Sequence, residues 1–174
     1  MNKSKILVRN AISKEFQEIG SLLVNVYSKL DGFPTPIDQP KYYESLKNIG
    51  EFTKTPGTEL LVAVNVENQL MGAVLYFRFM KYYGSGGEAP KIKNASGFRL
   101  LAVDFKFRDR GVGRLLINKC IQKTKEQGNE KLIIHSTKSM EIAWEMYEKI
   151  GFKRVEELDF LQRDYPVYGF KLTV

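Results

Sequence analysis

Between Phe98 and Gln127 the chain changes its hydrophobic period once, and the residues at the change leave few folds open. Phe98 to Val103 is a run of β-forming residues. Gly111 to Gln127 repeats apolar residues at helical spacing, with Val112, Leu115, Leu116, Ile117, Cys120 and Ile121 on one side and Arg114, Asn118, Gln122 and Lys125 on the other. A strand therefore passes through a basic turn, Lys106-Phe107-Arg108-Asp109-Arg110, and two glycines directly into a helix. The first N–H groups of a helix lack internal partners, and the macrodipole places about half a positive charge there, so a phosphate fits where the backbone can come close. Gly111 and Gly113 remove the side chains that would obstruct it, and Arg108, Arg110 and Arg114, reinforced by Lys106, add cationic donors. The same glycines would also suit a tightly packed strand-to-helix turn beside a solvated basic face, and spacing alone leaves both readings open.

Two phosphate-binding motifs are excluded. A dinucleotide fingerprint needs a third glycine where Leu116 stands and normally follows the first strand of a βαβ unit, whereas several strands precede this turn. A Walker A loop needs Gly-Lys-Ser/Thr after four intervening residues, which the turn lacks.

The rest of the pattern frames this unit. Lys5 to Asn10 predicts a strand, and Ser13 is placed as the N-cap of a helix carrying Phe16, Ile19, Leu22, Leu23 and Val26 and ending near Leu30. Asp31 to Pro40, with Gly32, Pro34, Pro36 and Pro40, predicts a loop, and Tyr42 to Ile49 a short helix. Glu59 to Val66 and Leu70 to Phe79 predict a hairpin around Glu67, Asn68 and Gln69. Tyr82 to Ser96, with Gly84, Gly86, Gly87 and Pro90, predicts an exposed, mobile connection. Gly128 stops the helix that began at Gly111; a strand Lys131–Ser136, a helix Ser139–Ile150 and strands 152–158 and 165–174 follow. The expected fold is α/β of the α+β kind, a mixed and mostly antiparallel sheet of about seven strands with helices on both faces, in a single domain spanning 1–174.

Composition narrows function by exclusion. A lone Cys120 and a lone His135 provide neither an internal disulfide, nor a structural zinc site, nor a convincing Cys/His nucleophile, so no metal is expected. No apolar run suits a signal core or a membrane span, which predicts a cytoplasmic protein. The net charge of +7 favours an anionic partner, and the 104–131 window holds eight basic against four acidic residues, more than half of that excess.

Arg108-Asp109-Arg110-Gly111-Val112-Gly113 resembles the R/Q-x-x-G-x-G/A signature of the GNAT superfamily of acetyl-coenzyme A-dependent N-acetyltransferases, preceded as in that family by a Leu-Ala-Val-Asp strand end. Ala143 to Phe152 is similar to the family's A-x-x-L-Y-E-K-x-G-F helix end, at the expected separation from the first motif. The resemblance implies a cleft where the fourth and fifth strands splay apart. It assigns Arg108, Asp109, Arg110, Gly111, Val112, Gly113 and Arg114 to the coenzyme A pyrophosphate, and the exposed backbone of Leu101, Ala102 and Val103 to pantetheine. A main-chain N–H of that strand would also polarise the thioester carbonyl. Tyr147 becomes the general acid for the leaving thiolate, whose parent thiol has a pKa of roughly 8.5. Periodicity by itself places Tyr147 in an apolar stripe with Ile142, Ala143, Met146 and Ile150, so only the motif selects it.

The chain departs from the pattern in two places. Many members carry an acid near the position of Arg99 or Leu100 that helps a water take the proton of the amine, and neither residue here can do so. Asp31, Glu44, Glu88 and Tyr27 are alternatives among which the sequence does not select. Where the family often has an asparagine touching pantetheine, this chain has Met140, with Ser139 beside it. His135 is read as a satisfied structural histidine, Cys120 as core, and Trp144 as partly buried packing. Tyr42, Tyr43, Tyr82 and Tyr83 are left open between groove lining and packing.

The expected reaction moves an acetyl group from acetyl-coenzyme A to a primary amine by direct attack in a ternary complex. The partners are a small-molecule amine, or alternatively a peptide or protein amine, with no nucleic acid, no membrane, and a homodimer left open. The competing class is a non-catalytic coenzyme A- or nucleic-acid-binding module; the chain lacks the interleaved aromatics and basic strands of an RNA-recognition motif.

Overall fold

The structure, a computed structural model, describes residues 5–174. In chain order its elements are β1 (Leu7–Asn10), α1 (Phe16–Tyr27), α2 (Pro40–Lys47), β2 (Thr58–Val64), β3 (Leu70–Phe77), β4 (Ala95–Val103), α3 (Val112–Glu126), β5 (Lys131–Ser136), α4 (Glu141–Ile150), β6 (Lys153–Arg154), β7 (Phe160–Gln162) and β8 (Tyr165–Thr173). The eight strands form a mixed sheet in the order β1-β2-β3-β4-β5-β8-β6, with β7 pairing β8 off that path. The pairs β1/β2, β5/β8, β6/β8 and β7/β8 are antiparallel, and β4/β5 is parallel.

Contacts group the chain into two compact units, one running to Leu75 with Leu100–Lys119 and the other comprising Tyr76–Arg99 with Cys120–Val174. In the first, α1 buries Ile19, Leu22, Leu23, Val26 and Tyr27. Its entry differs from expectation. Residues Ser13–Glu15 form a 3-10 turn, and the Glu15 carboxylate, not Ser13, caps it by accepting from the Ile12 N–H at 2.9 Å. The Arg9 guanidinium grips the same carboxylate at 2.7 and 3.0 Å and holds it below its ordinary range. A bidentate charged pair outweighs the neutral serine cap. At Gly20 the helix meets α2 so closely that a Cβ would lie 2.2 Å from the Lys47 carbonyl oxygen.

In the second unit the segment after β3 is exposed at Gly84, Gly86, Gly87, Glu88, Lys91, Lys93 and Asn94, as its glycines suggested, but it is anchored at two points. Tyr83 and Ala89 are fully buried, and 3-10 turns form at Met80–Tyr82 and Ala89–Lys91. Gly97 makes this possible, because a Cβ there would stand 2.6 Å from the Tyr83 ring. The strand expected over 152–158 shortens to Lys153–Arg154, followed by a 3-10 turn at Glu156–Leu158. Arg154 forms two hydrogen bonds of 2.7 and 2.8 Å to the Asp159 carboxylate, and five residues of extended chain would hold those groups roughly 16 Å apart. The bend also places β7 against β8, adding a strand to the expected seven. Among the described residues no helix is long and apolar enough to cross a membrane.

Candidate active site

The first unit contains every residue that the sequence assigned to the cosubstrate. The β4/β5 ladder covers only Ala95 to Gly97, opposite Lys131 to Ile133, so the remaining two thirds of β4 has no partner there. Leu100 has φ +57°, a left-handed conformation that costs a non-glycine residue and marks a bulge. Beyond it Ala102 is buried, and Leu101 and Val103 are half-buried. The Asp104 N–H then bonds the Met71 carbonyl at 2.9 Å, while its carboxylate caps the next turn by accepting from the Lys106 N–H at 2.8 Å.

That 3-10 turn, Phe105–Phe107, has a role the sequence reading missed. The Arg108 guanidinium lies over the Phe105 ring at 4.1 Å and Arg110 over Phe107 at 5.5 Å. Two rings thus orient two cations. The alternation Phe-x-Phe-Arg-x-Arg was the available signal.

Asp109 and Gly111 are both left-handed, at φ +60° and +76°, and α3 begins immediately after. The Leu115 N–H bonds the Gly111 carbonyl at 3.0 Å, so the amides of Val112, Gly113 and Arg114 precede the first intrahelical bond. A Cβ on Gly111 would meet nothing within 4 Å. Packing therefore does not explain this glycine; its backbone angle does. Arg108, Arg110 and Arg114 are exposed, and Val112 and Gly113 are buried. Three amides at a helix start and three cations form an arrangement that fits a pyrophosphate.

Tyr147 lies in the second unit. It is buried, 6.0 Å from the Phe98 ring, 5.9 Å from Phe152 and 6.4 Å from Phe170. Burial pushes its phenol well above the ordinary value, so it holds its proton at neutral pH. Gly151 ends α4 at φ +115°, with the Phe152 N–H returning to the Tyr147 carbonyl at 3.0 Å, the helix stop the motif implied.

Other candidates take structural places. Arg99 donates to the carbonyls of Tyr83 at 2.9 Å and Gly84 at 3.3 Å. The Ser139 hydroxyl hydrogen-bonds the Tyr165 hydroxyl, and Met140 stands half-buried at the start of α4. Glu88 pairs with Lys91, and Asp31 and Glu44 are exposed. Tyr83 and Tyr43 are buried packing, Tyr43 donating to the Pro34 carbonyl at 2.7 Å. Tyr42 and Tyr82 are half-buried, against Phe33 and Phe79 respectively. Trp144 packs on Tyr168 and Phe170, and Cys120 is fully buried.

His135 is satisfied on both ring nitrogens. Its Nε2 lies 2.8 Å from the Leu158 carbonyl, which can only accept, so Nδ1 at 3.1 Å is the acceptor for the Tyr83 hydroxyl. Burial lowers its pKa below the ordinary value near 6.5. The unfolded chain therefore binds a proton more readily than the native one, and this histidine's contribution is lost as pH falls from about 6.5 toward the native pKa. The melting temperature is expected to drop between pH 7.5 and 5.5, and less steeply in His135→Gln. Equal slopes in the two proteins would exclude His135 as the source.

Residues 23–152 match the acetyltransferase (GNAT) family. The chain belongs to that family. Solved structures agree on the fold. A GNAT acetyltransferase from Staphylococcus aureus Mu50 is 18% identical with a TM-score of 0.73, over 97% of this chain and 99% of that one. A spermidine/spermine N-acetyltransferase from Vibrio cholerae is 17% identical with a TM-score of 0.63, over 98% and 94%. A ribosomal-protein-alanine N-acetyltransferase from Brucella melitensis is 16% identical with a TM-score of 0.66, over 97% and 99%. Among curated proteins no sequence matches. As a GNAT member the protein is an acyltransferase; acetyl-coenzyme A is the family's cosubstrate and an amine its general acceptor.

Proposed function

We propose that this GNAT enzyme acetylates the primary amine of a small molecule by direct attack in a ternary complex. The observation that carries the reading is the start of α3, where Gly111 is left-handed with clear space beside it and Arg108, Arg110 and Arg114, all exposed, flank it in the chain. Arg108 to Arg114 hold the coenzyme A pyrophosphate, and Leu101 to Val103 pair with pantetheine. The amine nitrogen attacks the thioester carbon, the C–N bond forms, and the C–S bond breaks as the tetrahedral intermediate collapses. A main-chain N–H of β4 stabilises the oxyanion, and Tyr147 gives its proton to the departing thiolate. Positioning of the two substrates supplies most of the acceleration.

The amine must lose a proton before attack, and where many members carry an acid this chain has Arg99, already bonded to two carbonyls. A covalent acetyl-enzyme is disfavoured because Cys120 is fully buried. Along the α1–α2 segment the half-buried rings of Phe33 and Tyr42 stand 5.9 Å apart, a pair of faces suited to an alkylammonium. This favours a small amine over a peptide.

Thiol release from acetyl-coenzyme A across a panel of amines and peptides tests the reading. Turnover on small amines supports it, turnover on peptides alone selects the protein-acetylating alternative, and cofactor binding without turnover on any acceptor refutes catalysis.

A further inference from the structure

We infer that Tyr27 is a positioning residue that fixes the β4 edge for the coenzyme A arm. Its hydroxyl donates to the Leu101 carbonyl at 3.1 Å, from a residue 74 positions away. Tyr27 is 5% exposed, and its ring packs on Phe33. The inference rests on the acyl-coenzyme A reading above and adds a residue that neither family motif includes.

The two edges of β4 carry different main-chain groups. The Asp104 N–H faces β3, since it bonds the Met71 carbonyl. Main-chain groups alternate along a strand, so those of Leu101 and Val103 turn to the opposite edge, where the ladder with β5 has already ended at Gly97. An arm carrying two amides can pair with such an edge as an added strand does. One of the edge carbonyls, that of Leu101, is instead taken by Tyr27. The amides of Leu101 and Val103 and the carbonyl of Val103 are left to meet the ligand.

Position explains why this bond matters. Leu100, directly before it, has φ +57°, and a left-handed leucine is strained unless its surroundings hold it. The peptide between Leu101 and Ala102 is planar, so holding its carbonyl on one side keeps the Ala102 N–H on the other, toward β3. Tyr27 thereby sets the register of the strand immediately after the bulge, at the amides that the substrate would use. Tyr43, a buried core residue, also gives its hydroxyl to a main-chain carbonyl, that of Pro34 at 2.7 Å. It is a matched control.

The experiment compares wild type, Tyr27→Phe and Tyr43→Phe by calorimetric titration with coenzyme A and with adenosine 3′,5′-bisphosphate, which lacks the pantetheine arm, alongside the melting temperature of each. Tyr27→Phe is expected to weaken coenzyme A about 5- to 10-fold, the scale of one hydrogen bond, and to leave the bisphosphate within twofold. Tyr43→Phe is expected to lower the melting temperature comparably with neither ligand affected. Unchanged coenzyme A affinity in Tyr27→Phe, or parallel loss of both ligands, would overturn the inference while the acyl-coenzyme A reading stands. Failure of wild type to bind coenzyme A would overturn both.

Discussion

Tyr147→Phe is expected to lower turnover about a hundredfold, the low end of the range for a general acid, with coenzyme A affinity within twofold of wild type. The substitution removes one oxygen and leaves the ring among Phe98, Phe152 and Phe170, so packing is retained. Burial keeps the phenol protonated well past neutral pH, so wild type has its donor ready wherever the amine can be deprotonated. The thiolate it serves derives from a thiol of pKa roughly 8.5, so the variant should recover part of its rate with an acyl donor whose thiol is more acidic. A purely structural tyrosine would show no such dependence on the leaving group. Unchanged turnover under conditions where chemistry limits the rate would refute the assignment.

The largest effect on stability is expected at Gly20→Ala. In most helix interiors this change gains up to about 1 kcal/mol, because glycine is the poorer helix former. Here the added Cβ would sit 2.2 Å from the Lys47 carbonyl oxygen and 2.9 Å from its carbon, and main chain cannot rotate away as a side chain could. Helices α1 and α2 must separate, at the usual overpacking cost of about 1–3 kcal/mol or more. Steric cost exceeds propensity gain, and a net loss near 2 kcal/mol corresponds to a fall of roughly 4–8 °C in melting temperature. Gly111→Ala makes the comparison sharp. Its Cβ has open space, so only the left-handed backbone resists it, and the loss should be smaller. A Gly20→Ala melting temperature at or above wild type would show that α2 yields without cost.

Local arrangements were readable in the residues. The glycine stop after α4 appears where Gly151 stands, because a left-handed residue just past a helix is a one-residue demand. The start of α3 and the arginines around it are likewise adjacent in the chain. The misreadings share a cause. Within the exposed Tyr82 to Ser96 segment the burial of Tyr83 was not legible, since Gly97 admits its ring against β4 and His135 accepts its hydroxyl from 52 residues away. Ser13 looked like a cap until Arg9 drew Glu15 to the position. In each case a contact between side chains outweighed a propensity worth about 1 kcal/mol or less.

Period, spacing and neighbouring residues were enough to order the four helices and all strands but β7 along this chain, and to carry the family signature. The folded chain alone shows that the ladder beside β4 ends at Gly97 and that Tyr27 holds the Leu101 carbonyl, 74 residues away. Those outcomes depend on which distant groups share a hydrogen bond or a strand edge, and that is settled by the packing of the whole chain and not by any local run of it.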